Sequence, residues 1–221
     1  MQTEMLSFDT ANGPAHAYAA IPDVPAGKCV IVIQEYWGLN DHIKDIAGRY
    51  AGEGFVAVAP DLYRGKLAKD PAEAGVFMQA LSSEDGLDII KNTIDSAALA
   101  FDISHFGITG YCMGGTFALL AACELEGLSA AAPFYGDIPS DDILQKLTTP
   151  TIFISATKDG WINTEKVARL EDAAERFELP IHSVKYEADH AFFNNTRPEV
   201  YIESAAQDAW ALVVGFFNDK L

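Results

Sequence analysis

The stretch Phe106-Gly107-Ile108-Thr109-Gly110-Tyr111-Cys112-Met113-Gly114-Gly115 decides how this chain is read. An apolar, β-branched run ends in Gly-x-Cys-x-Gly-Gly and opens at once into Thr116-Phe117-Ala118-Leu119-Leu120-Ala121-Ala122, residues that favour helix. Strand, tight turn and helix in this order make a nucleophile elbow, the serine form of which is Gly-x-Ser-x-Gly. The central residue is driven toward positive φ, and the glycines two positions to either side avoid collision with neighbouring backbone. The helix N-terminus behind the turn favours negative charge, which serves a thiolate more than an alcohol. The competing reading is a buried cysteine beside a glycine turn, but nothing except reactivity requires a strained cysteine there.

Working outward from the elbow, strands and helices alternate. Met5–Asp9 and Ala15–Ile21, split by Asn12-Gly13, read as an opening hairpin. Cys29–Ile33 is a continuous apolar run of the kind buried on both faces of a parallel sheet. Helices are predicted over 41–53, 71–81, 83–100, 141–147, 164–177 and 205–218. Further strands are predicted over 55–59, 106–109, 128–135, 151–156 and 181–186. This pattern implies a single α/β domain spanning 1–221, with a mostly parallel sheet of about eight strands and helices on both faces.

Chemistry in such sheets gathers at the carboxyl ends of the strands. There lie Glu35, Tyr36 and Trp37 after strand 29–33, Cys112 after the elbow strand, Asp159 after strand 151–156, and His190 after strand 181–186. A thiol nucleophile needs an imidazole to move its proton, and the imidazole needs a carboxylate to fix its tautomer. Cys112, Asp159 and His190 supply these in the chain order of α/β-hydrolases. Asp137 and Asp189 compete with Asp159 for the acid's place. Among the other histidines, His182 is expected to pack within its strand, His105 lies at the wrong end of the sheet, and His16 and His42 sit in the hairpin and an early helix. Backbone amides of Met113 and Tyr36 are the expected oxyanion hole. Glu35, an acid at a buried strand end beside two aromatics, should have its charged form disfavoured by desolvation; its plain reading is a structural carboxylate.

Composition narrows the partners. Thirty-two acidic against 15 basic residues leave a formal charge of −17, which argues against nucleic acid or an anionic membrane and disfavours anionic substrates at long range. No basic-then-apolar leader and no membrane-length apolar run is visible, so a cytoplasmic location is expected. Cys29, Cys112 and Cys123 form no CxxC pair and read as free thiols, the first and last inert in the core. The five histidines show no metal-ligand spacing, and no metal or cofactor is expected.

Five motifs in order, Gln34-Glu35-Tyr36-Trp37-Gly38, Ala59-Pro60-Asp61-Leu62-Tyr63, Gly110–Gly115, Lys158-Asp159 and Asp189-His190-Ala191-Phe192, resemble the dienelactone hydrolase (carboxymethylenebutenolidase) family over essentially the whole chain. The resemblance implies a monomeric, cofactor-free α/β-hydrolase. Such an enzyme opens the enol-lactone of dienelactone to maleylacetate in aromatic degradation, through a cysteine thioester. It also implies that Glu35 interacts with the resting Cys112 thiol and helps to activate it when substrate arrives. Family members hold the substrate carboxylate with two arginines, but here the stretch 71–81 has none and position 194 is Asn. Arg197 is the expected anion contact, with Arg64 and Lys66 as substitutes only if their loop turns inward. Trp37 and Phe192, within a cluster that includes Tyr36, Tyr63, Trp161 and Phe193, are expected to line the pocket. A thioester or peptide-like acyl substrate, or a silent ligand-binding domain, are the remaining readings.

Overall fold

One apolar run feeds two cores. In the computed structural model, which describes residues 1–221, the run Lys28–Ile33 forms β3, and alternate side chains part to opposite faces. Cys29, Ile31 and Ile33 join one buried cluster, while Val30 and Val32 join the other. β4 (Val56–Pro60) divides in the same way, Val56 and Val58 to the first, Ala57 and Ala59 to the second. This is the period-two geometry of a strand covered on both faces. The first face is covered by α3 (Ser83–Phe101), α4 (Met113–Glu124) and α6 (Thr164–Arg176), through Ile89, Phe117 and Leu170 among others. The second is covered by α1 (Asp41–Gly52) and α7 (Glu203–Lys220), through Ile43, Ile46, Val213 and Phe217.

The remaining elements are β1 (Gln2–Thr10), β2 (Gly13–Ile21), α2 (Pro71–Ala80), β5 (His105–Tyr111), β6 (Leu128–Phe134), α5 (Asp141–Leu144), β7 (Thr151–Ala156) and β8 (Ile181–Tyr186). The eight strands lie in the order β1-β2-β4-β3-β5-β6-β7-β8. β2 runs antiparallel to both neighbours, β1 and β4, and every other pairing is parallel. The mostly parallel, helix-covered sheet is therefore as expected.

Differences from the sequence reading are local. The opening hairpin is longer on both arms, because Gly13, at φ +109°, turns the chain tightly enough for Thr10 and Gly13 to pair. The helix expected over 141–147 ends at Leu144, where the amides of Lys146 and Leu147 reach back only three residues, to Ile143 and Leu144. His182 is exposed rather than packed: β8 is the sheet's edge strand, and His182 and Lys185 face solvent from it. No helix is long and apolar enough to cross a membrane.

Candidate active site

The elbow is built by close backbone approach. Cys112 sits at φ +57°, ψ −117°, between β5 and α4. A Cβ on Gly110 would strike the Gly114 carbonyl, and one on Gly114 would strike the carbonyls of Ile33 and Gln34. The missing side chains thus let the end of β3 press against the elbow, which brings the Glu35–Tyr36 loop to the sulfur.

On the other side of the sulfur, the loops after β7 and β8 meet. His190 Nδ1 and Asp159 Oδ2 are 2.6 Å apart. Asp159 Oδ1 accepts from the amides of Trp161 at 2.7 Å and Ile162 at 2.9 Å. Burial would raise the Asp159 carboxyl, but the hydrogen bond and charge of His190, with the two amides, hold it below its ordinary value. The imidazole lies between two aromatic rings, Tyr135 edge-on at 5.1 Å and Trp161 at 5.5 Å. Of the rival acids, Asp189 points to solvent and Asp137 is bonded to Lys166 at 2.7 Å. The rival histidines stand apart: His16 bonds Ser7, His105 is exposed at the start of β5, and His42 is buried on α1.

The thiol is arranged differently. Cys112 is buried, and its pKa is pushed well up, first by desolvation and then by the nearby Glu35 charge. The backbone amides of Met113 and Tyr36, the two expected oxyanion donors, act on the sulfur in the opposite direction. His190 Nε2 is buried and takes no hydrogen bond from the thiol or any other group. Glu35 is also buried, and desolvation raises its carboxyl to about 6 against the lowering effects of Asn194, His190 and Arg197. Its Oε2 accepts from Asn194 Nδ2 at 2.7 Å, and its Oε1 has no partner. Asn194 Oδ1 in turn accepts from the Thr196 amide at 2.9 Å and hydroxyl at 2.6 Å.

Two recesses open on either side and share Cys112, Trp161 and His190. One, of about 230 Å³, is walled by Met78, Leu81, Met113, Phe117, Leu120 and Ile162. The other, of about 130 Å³, is walled by Glu35, Tyr36, Trp37, Ala191 and Arg197. Trp37 therefore lines the site as expected. Arg197 lines it too, and its Nε donates to Glu199 Oε1 at 2.9 Å. Phe192 is a correction: it is fully buried against Tyr135 and Tyr186 and supports the wall without lining it. His190, two positions earlier on the same loop, lines the site while Phe192 turns to the core. The loop of Arg64 and Lys66 does not turn inward. Arg64 makes two 2.7 Å bonds to Asp85, and both cations line a separate groove.

Two residues escaped the sequence reading. Asn194 was noted only as a missing arginine, and nothing local marks a partner 159 positions away at Glu35. Tyr135, at φ +38°, carries the one available signal in its place at the end of an apolar strand, but its packing on His190 is a tertiary fact.

Strand order, elbow and the Asp–His pair define an α/β-hydrolase fold with Cys112 at the strand-to-helix turn. The family model described as the dienelactone hydrolase family matches residues 15–221, and the chain belongs to that family. Its members are hydrolases of ester or lactone bonds. The chain is 34% identical to "Protein usf" of Aquifex pyrophilus, covering 99% of each. It is 32% identical to the "Putative carboxymethylenebutenolidase" of Aquifex aeolicus, again over 99% of each. Among solved structures, a "Putative Dienelactone Hydrolase" from Klebsiella pneumoniae superposes with a TM-score of 0.88 at 27% identity over 99% of both chains.

Proposed function

We propose that the protein hydrolyses small carboxylic esters or lactones through a thioester on Cys112, as a single-domain, cofactor-free enzyme. The observation that carries this is a cysteine at a strained elbow beside a preassembled His190–Asp159 pair. The name carboxymethylenebutenolidase borne by relatives supports a lactone within the range. In the resting enzyme the thiol is neutral and makes no hydrogen bond to the imidazole. Substrate entry brings it into play: the thiol proton passes to Glu35, and the thiolate adds to the carbonyl carbon. The amides of Met113 and Tyr36 hold the developing oxyanion. Collapse breaks the acyl C–O bond, and the proton goes to the leaving oxygen by way of His190. Water, losing a proton to His190, then cleaves the thioester, releasing the acid and restoring the thiol. Asp159 keeps the imidazole in the tautomer that presents Nε2 to the sulfur and stabilises the imidazolium.

The test is turnover of p-nitrophenyl acetate before and after iodoacetamide treatment. Activity is expected to vanish in step with mass-verified alkylation of Cys112; turnover that survives full alkylation rules the thiol mechanism out.

A further inference from the structure

The larger recess has a chemistry of its own. Met78 and Leu81 at the end of α2, Phe117 and Leu120 on α4, and Ile162 after β7 give it a mostly apolar wall. Its polar lining is Ser83, Thr116, Asp137 and His190, and no lysine or arginine lines it. Lys166, which reaches its wall residue Asp137, is bonded there at 2.7 Å. Of the other cations near the site, Arg197 is bonded to Glu199 and Arg64 to Asp85, and Lys66 lies with Arg64 along the separate groove. Buried Glu35 and the formal charge of −17 add repulsion. Size fits a hydrocarbon guest: a dry apolar cavity of about 150 Å³ accepts a benzene ring, and this one measures about 230 Å³.

Building on the hydrolase reading, we propose that this recess is the specificity subsite and that the enzyme's substrates are uncharged esters or lactones carrying an alkyl or aryl group seated there. A carboxylate in the recess would lose its hydration without gaining a cation, whereas a hydrocarbon chain gains by leaving water. Met78 and Leu81 would then set the preference, because they close the recess from α2 and its C-terminal end and are only partly buried.

The experiment compares kcat/KM for p-nitrophenyl acetate, p-nitrophenyl butyrate and mono-(4-nitrophenyl) succinate, the last matching butyrate in length but ending in a carboxylate. Butyrate is expected to exceed acetate by about tenfold, and succinate to fall below butyrate by at least that factor. Met78→Arg should erase the butyrate advantage and raise succinate relative to butyrate, while Met78→Leu keeps the wild-type order. Leu81→Lys repeats the test should Met78→Arg not fold, as judged by its melting curve. An acyl series that is flat, with Met78→Arg slowing all three esters, keeps the recess as a seat for the nitrophenyl ring but overturns the exclusion of anionic acyl groups. Succinate preferred by the wild type, or a flat series indifferent to Met78→Arg, overturns it. If no ester is turned over at all, the hydrolase reading fails separately. Alkylation of Cys112 then decides the subsite: N-benzyl iodoacetamide faster than iodoacetamide, with the advantage lost in Met78→Arg, supports it, and equal rates overturn it.

Discussion

The two halves of the site are prepared to different degrees. On one side, His190 and Asp159 are already bonded, with both Asp159 oxygens satisfied. On the other, Cys112 is neutral, Glu35 keeps one oxygen unpartnered, and His190 Nε2 waits without a bond. The difference follows from desolvation. A carboxylate can be buried cheaply when amides and an imidazole hold it, but a thiolate beside an acid in the same apolar wall cannot. The His190–Asp159 pair is thus assembled in this structure, while the thiol proposed as nucleophile is held in its neutral form.

Breaking the assembled half should cost most. Asp159→Asn leaves the shape in place but offers an amide where the imidazole needs a carboxylate. It is expected to lower kcat/KM for p-nitrophenyl acetate by about 10⁴ through the wrong His190 tautomer. A loss under tenfold would show that Asp159 only shapes the loop.

The silent half should be milder and should betray itself in pH. Glu35→Gln keeps the Asn194 hydrogen bond but removes the base, and pre-steady-state acylation should slow by about 10². In the wild type, kcat/KM should rise with pH through about 6, as Glu35 ionises, and this limb should be absent from the variant. Stability moves the other way. Because the folded-state pKa lies above the ordinary 4.5, the wild type loses stability as pH rises from about 4.5 through about 6. Glu35→Gln escapes that loss and should be more stable at pH 7 by about 2 kcal/mol, which urea melts at pH 4 and pH 7 would measure. An unchanged acylation rate removes Glu35 from the mechanism.

The smallest effect sharpens the comparison. Asn194→Ala deletes the hydrogen bond that favours ionised Glu35, so the rising limb of the pH profile should move upward, with a loss of a few-fold near pH 6. A limb that stays in place would mean that Asn194 holds the loop without tuning the acid.

How far the sequence was legible depended on the range of the interaction. The elbow was readable because its glycine pattern is local, Gly110 being required by the Gly114 carbonyl within the turn, although Gly114 itself is required by the distant carbonyls of Ile33 and Gln34. β3 and β4 were readable because an unbroken apolar run has no solvent face. Cys112, Asp159, His190, Glu35 and the two amides stood out because strand ends are countable. The wall was harder. Phe192 and His190 lie two positions apart on one loop, yet one fills the core and the other faces the site, a choice made by Ala191 at φ +64° and by the rings waiting below. Asn194 was legible only as a missing arginine, because its partner Glu35 lies 159 positions away.

The sequence by itself determined the alternating fold, the thiol at the elbow and the order of acid and histidine, because periodicity, glycine sterics and strand-end placement act over a few residues. Tertiary structure alone decided that His190 Nε2 makes no bond to the thiol, that Arg64 is bound to Asp85, and that α2 walls a mostly apolar recess beside Cys112. Those outcomes depend on which distant side chains share a low-dielectric space, and burial and pairing there set both the charge of Cys112 and the character of what can reach it.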